Sequence, residues 1–214
     1  NGNIYLCALT AGLAVYQSGS ATPTLLTTYN TASQDGQNAR DAMASGKVVF
    51  LAAGVAGLKV LNMNNPASPT VLGSRVLTNN TSADVIIVSS GKAYVADNSG
   101  KVFIFDVSAI NVNNPSPATP ALLGTVNLGM IVQHLSITGS TLVAHAPPDG
   151  LFLYNVANPA SAAFLGSYNI SEDAVGLSPS GLVAHENRVY VTFGQVLGIG
   201  SAIAKVSITE PSEP

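Results

Sequence analysis

The stretch GLKVLNMNNPASPTVLG, residues 57–73, decides the fold. It opens on a glycine and a short run in which Leu58, Val60 and Leu61 are apolar. Asn65-Pro66 follows, and after it a second apolar run through Val71 and Leu72. An asparagine amide that bonds its own backbone, set beside a ring that donates no hydrogen bond, makes a turn. Proline has no N–H for a central ladder, so the first run must stop there. The stretch reads as strand, turn, strand.

Near-copies of it recur along the chain. AGLAVYQSGSATPTLLTTY occupies residues 11–29, and DGLFLYNVANPASAAFLGS occupies residues 149–167. SGKVFIFDVSAINVNNPSPATPALLGT, residues 99–125, carries an insertion at 111–120 before its second run. A degenerate copy, GSAIAKVSITEPSEP, fills residues 200–214. The anchor glycines Gly12, Gly57, Gly100, Gly150 and Gly200 stand 43 to 50 residues apart. A period of this length without helical patterning points to propeller-like arrays.

Two more strands precede the repeated pair. The nearer reads NIYLCA (3–8), KVVFLA (47–52), KAYVAD (92–97), TLVAHA (141–146) or RVYVTF (188–193). The farther reads ARDAMA (39–44), ADVIIVS (83–89), QHLSIT (133–138) or GLVAH (181–185). The unit is a four-stranded antiparallel meander, which is one propeller blade. Runs such as 48–51 and 102–105 are apolar without alternation, as expected of a sheet covered on both faces. β-branched and aromatic residues favour strand over helix in these runs. The fold class is therefore all-β, a single β-propeller domain over 1–214 with about five blades, at 1–30, 39–78, 83–128, 130–169 and 175–214.

The unit resembles the LVIVD repeat. Its third strand and turn read roughly G-L-x-V-x-D-V-S-N-P-x-x-P, after strands like A-x-D-V-x-V-S-G and x-A-Y-V-A-D. Residues 92–97 match the last of these closely, and residues 39–46 match the one before. Asp106 stands at the family aspartate, which the other copies replace with Gln17, Asn62, Asn155 and Ser207. The resemblance covers nearly the whole chain. It implies a β-propeller on a secreted or surface protein, and it implies no reaction.

The first and last blades are incomplete. Residues 1–30 supply three strands and lack the innermost, while residues 175–214 supply three and lack the outermost. Eighteen strands are expected in all. Three readings follow: a ring of five blades with two of them three-stranded, a piece of a longer polypeptide, or open blade edges that take a strand from a neighbouring subunit. The last is a form of self-association.

Composition bounds the function. Charged residues make up only 9% of the 214 residues and the net charge is −3, so there is no basic footprint for nucleic acid. Ser, Thr, Asn and Gly supply the polar surface, as in extracellular proteins. The longest apolar stretch, 48–58, is too short to span a bilayer. The single cysteine, Cys7, has no internal partner and falls in an apolar strand, where a buried inert thiol is expected. The chain opens inside a strand pattern, as a mature, trimmed or excerpted sequence would.

The candidate site is the face that gathers the loops between blades and between each second and third strand. It carries Asp35, Arg40, Asp41, Asp84, Glu172 and Asp173, with Asp97, Asn98 and Asp149 on adjoining turns and His134 on an inner strand. Such a patch suits a protein, glycan or cation; equally, these acids suit the capping of turns. His134 and His185 both fall on inner strands and so can converge near the axis. No Gly-x-Ser-x-Gly, phosphate loop or ring of metal ligands is present, and no cofactor is implied. Asn79, Asn80 and Asn169 stand in N-x-S/T contexts, all expected in loops, and would accept glycans in a source that glycosylates. The reading is an extracellular or cell-surface propeller with a structural or binding role, as in a subunit of a surface assembly or filament, and no enzyme; the alternative is a metal-dependent enzyme using the loop face.

Overall fold

The computed structural model describes residues 2–19, 21–30, 38–113, 117–148, 150–170, 178–186, 188–194 and 202–207. Among them lie eighteen strands in five antiparallel sheets. Blade 1 is β1 (Asn3–Cys7), β2 (Leu13–Gln17) and β3 (Thr24–Tyr29). Blade 2 is β4 (Asp41–Ser45), β5 (Val48–Ala52), β6 (Leu58–Asn62) and β7 (Thr70–Arg75). Blade 3 is β8 (Ala83–Ser89), β9 (Lys92–Asp97), β10 (Lys101–Asp106) and β11 (Ala121–Asn127). Blade 4 is β12 (His134–Thr138), β13 (Thr141–Ala146), β14 (Gly150–Asn155) and β15 (Ala163–Asn169). Blade 5 is β16 (Ser178–His185), β17 (Arg188–Gly194) and β18 (Ala202–Ser207).

Each sheet is a meander with its strands in chain order. The core is not one mass but four apolar layers, one between each pair of successive blades. Alternation along a strand sends successive side chains to opposite layers. On β5, Val49 and Leu51 enter the layer shared with blade 1, while Phe50 and Ala52 enter the layer shared with blade 3. On β9, Ala93 and Val95 face blade 2, while Tyr94 and Ala96 face blade 4. This is why the runs are apolar throughout.

Two details shape the blades, the first of them recurring in blades 1 to 4. The third and fourth strands shift register at one place, between Val15/Tyr16, Val60/Leu61, Ile104/Phe105 and Leu153/Tyr154. The extra residue in the fourth strand is a leucine: Leu26, Leu72, Leu123 or Leu165. A bulge increases the local twist and re-aims the side chain, and Leu26, Leu72 and Leu123 join the interblade layers. The second detail protects the outer edge. Ala118, in the insertion of blade 3, donates its N–H to the Leu72 carbonyl at 2.8 Å and accepts from Ser74 N–H at 3.1 Å, so it pairs with β7 of blade 2. An exposed strand edge is a template for aggregation, and a loop laid along it removes the risk.

Residues 3–7 and 202–207 sit within their own sheets; residues 208–214 lie outside the described ones. The inner strands of successive blades pack in order, β4 on β8, β8 on β12 and β12 on β16. The far faces of the first and last sheets stay open: Leu6 is 53% exposed and Ile203 is 73% exposed. The five sheets therefore do not cover each other end to end. No helix among the described residues is long and apolar enough to cross a membrane.

Candidate functional site

The inner strands β4, β8, β12 and β16 surround a cavity of about 330 Å³ on the axis. Its walls include Arg40, Asp41, Asp84, Gln133 and His134. Four of the residues expected on the loop face thus come together at its mouth. Asp35, Asp149, Glu172 and Asp173 lie outside the described residues.

The ionic groups at this mouth are engaged with one another and with the backbone. Arg40 Nε stands 3.2 Å from Asp84 Oδ1, and the same oxygen accepts the Ser82 hydroxyl at 2.7 Å. Asp41 holds a position the sequence did not reveal. Its Oδ1 accepts Ala42 N–H and its Oδ2 accepts Ile86 N–H in the next blade, both at 2.9 Å. Ser136 does the same one interface on, its hydroxyl accepting Ala184 N–H at 2.7 Å. An inner strand facing the axis has no strand beside its outward N–H groups, so a short acceptor from the preceding blade satisfies them.

The adjoining turn repeats the theme. Asp97 is fully buried and accepts Ser99 N–H at 3.0 Å and Lys101 N–H at 2.8 Å, with the Ser99 hydroxyl at 2.7 Å. Asn98 accepts Ser82 N–H at 3.1 Å. Asp97 and Asn98 build the turn.

The histidines correct an expectation. His134 pairs not with His185 but with His145, its cross-strand neighbour, with the two Nδ1 atoms 3.3 Å apart. His185 lies at the other end of its strand, beside the hairpin to β17, where it is exposed and 3.8 Å from Glu186. The sequence spacing placed both on inner strands but said nothing about which end of the strand each occupies. Burial lowers the pKa of His134, against smaller opposing effects from a Ser180 backbone hydrogen bond and the Asp41 charge. With one N–H between them, the two rings need one neutral donor and one acceptor. Among the described residues, no three His, Cys, Asp or Glu side chains gather as a donor set for a metal.

Asn79 and Asn80 are exposed in a one-turn 3-10 helix, Thr78–Asn80, as the loop reading requires. Asn169 departs from that reading: it is the last residue of β15 and pairs with Gly150, although its side chain is exposed. Cys7 is half-buried against blade 2, and burial, with the Asp41 charge second, pushes its thiol up to about 11.

The family model described as the LVIVD repeat matches residues 36–78 and 81–127. The chain carries LVIVD repeats. The two matched LVIVD segments coincide with blades 2 and 3, and Arg40, Asp41, Asp84, Asp97 and Asp106 all lie inside them. No curated protein matches the sequence. The LVIVD blades share their architecture with solved propellers. The β-propeller domain of Cps50 (Swd1) from Myceliophteria thermophila superposes with a TM-score of 0.72 at 11% identity, over 97% of this chain and 66% of its own. Two computationally designed proteins are also similar. Ika8 gives 0.62 at 12% identity, over 89% of this chain and 52% of its own, and Ika4 gives 0.56 at 11%, over 80% and 91%. At these identities the likeness shows the fold alone. This chain spans about half the length of Ika8 and about two-thirds of the Cps50 domain.

Proposed function

We propose that this propeller is a non-catalytic binding module of an extracellular or cell-surface protein, recognising a protein or glycan on the loop face around its axis. The observation that supports this reading most is how the charged groups at the cavity mouth are used. Asp84 is held by Arg40 and Ser82, Asp41 by two backbone N–H groups, and His134 by His145. A nucleophile or general base needs a side chain poised toward substrate with a partner that activates it; these side chains instead fix the loops around a wide, polar-rimmed mouth. The low content of charged residues and the exposed Asn79 and Asn80 support the extracellular placement.

The test is binding of the purified protein to a panel of neutral and acidic oligosaccharides and extracellular proteins. Saturable binding that Arg40→Ala and Asp84→Ala weaken at least about tenfold is expected, since each removes one side of a charge-assisted contact. The second reading, a metal-dependent enzyme, draws on the His134–His145 pair alone. Titration with zinc and calcium ions discriminates: stoichiometric binding abolished by His134→Ala, together with hydrolysis of an ester or phosphoester substrate, would replace the binding-module reading.

A further inference from the structure

Among the described residues, the first and last sheets each present a face patterned as a blade interface with no blade against it. In blade 1, Ile4 pairs with Tyr16 and Leu6 pairs with Ala14. The same register positions in blade 2 are Val49 with Leu61 and Leu51 with Lys59. Against blade 1, Val49 and Leu51 are 1% and 0% exposed; Ile4 and Leu6 are 44% and 53% exposed. Leu25 extends the open face, paired to Tyr16 as Val71 is paired to Leu61. At the other end, Val183 pairs with Tyr190, and Thr192 pairs with Ile203. Their counterparts in blade 3 are Ile87 with Tyr94 and Ala96 with Val102. Tyr94 and Val102 are 3% and 0% exposed against blade 4, whereas Val183 and Ile203 are 59% and 73% exposed.

The two faces are thus the two halves of one contact type that this chain already makes four times. The overlay on the Cps50 domain places 97% of this chain on 66% of that propeller. A third of that chain remains uncovered, the length of about two blades of this size. We propose that the two end faces seat two further blades of this same repeat, one against β1–β3 and one against β16–β18, completing a larger ring. The partner offers apolar sheet faces of the kind β4–β7 and β8–β11 offer each other. Lys205 stands where blade 3 has Ile104, and Lys59, only 7% exposed, shows that an interblade layer accepts a lysine at this strand. A whole second copy fits poorly, because ten blades exceed the four to eight of ring propellers. The inference is independent of the loop-face reading and goes beyond it.

The test appends a second copy of residues 39–128, blades 2 and 3, after residue 214. In that order the added blade 2 meets β16–β18 with its natural rear face, and the added blade 3 meets β1–β3 with its natural front face. The 214-residue chain is expected to bind an apolar fluorescent dye as a monomer by light scattering. The extended chain is expected to stay monomeric, to lose that binding, and to melt about 5 °C or more higher. Leu6→Glu with Ile203→Glu should leave the melting point of the shorter chain within about 2 °C and lower that of the extended chain by more than about 5 °C. Undiminished dye binding by the extended chain would overturn the proposal. So would dimers of the shorter chain that already cover both faces, or an equal loss in both proteins from the double substitution.

Discussion

Side chains that sequence reading assigns to recognition serve first to hold the blades together. Asp41 carries its carboxylate across an interface to Ile86 N–H, and Asp97 organises a turn from a fully buried position. Two titrations follow from this packing. Cys7, with its thiol raised to about 11 by burial and then by Asp41, should alkylate with iodoacetamide at pH 8 about a hundredfold more slowly than in the urea-unfolded chain, because the thiolate is the reacting species; equal rates would contradict the packing of β1 on blade 2. His134 has a folded pKa below its ordinary 6.5, chiefly from burial. Between the folded and unfolded values the unfolded chain binds more protons, so stability falls as the pH drops from about 7 and levels off below the folded value. The groups facing His134 are His145, Arg40, Asp41, Asp84 and Gln133. Denaturant unfolding at pH 7.5 and pH 5 should show this slope, and His134→Gln should flatten it.

At the scale of the strand and its turns, the glycines that set the repeat period have a geometric reason. Gly12, Gly57 and Gly100 open the third strand of their blades with φ of +92°, +75° and +84°. A Cβ at Gly57 would also run into the Arg75 carbonyl, and one at Gly12 into the Tyr29 carbonyl. The end of the fourth strand passes directly over this turn, so the site admits neither a left-handed penalty nor a methyl group. Gly57→Ala is expected to cost about 2–3 kcal/mol, from the left-handed conformation and the displaced strand end. Thermal melting checks it; a midpoint unchanged within error would mean that the turn rearranges freely. Gly73 is constrained differently, by the Ala118 carbonyl that covers the β7 edge. That contact explains the long insertion of blade 3, which the sequence shows only as an interruption of the repeat.

For the molecule as a whole, stability resides in contacts between neighbouring sheets, as in other repeat architectures. Leu58 is fully buried in the layer between blades 2 and 3. Leu58→Asp would place an unpaired carboxylate there, at a cost of several kcal/mol, against a total stability of about 5–15 kcal/mol for a domain. Loss of the cooperative melt by circular dichroism is the expected result, and a soluble native-like variant would refute the blade assignment. The same change at an end face has another meaning, since Leu6 and Ile203 are largely exposed.

The sequence by itself determined the strands, their order, the blade repeat and the unfinished first and last sheets. Those features follow from local chemistry: Asn-Pro ends a strand, glycine permits the turn, and apolar runs mark sheets covered on both sides. It also gathered Arg40, Asp41, Asp84 and His134 on one face, because strand ends and loops alternate between the two sides of a blade. Only the tertiary structure decided what those groups touch. Asp41 meets Ile86 and His134 meets His145 through cross-strand and interblade register, and register depends on how sheets twist past one another rather than on residue spacing. The open end faces were likewise settled in three dimensions, since whether five blades close a ring depends on the angle between sheets, which no single strand encodes.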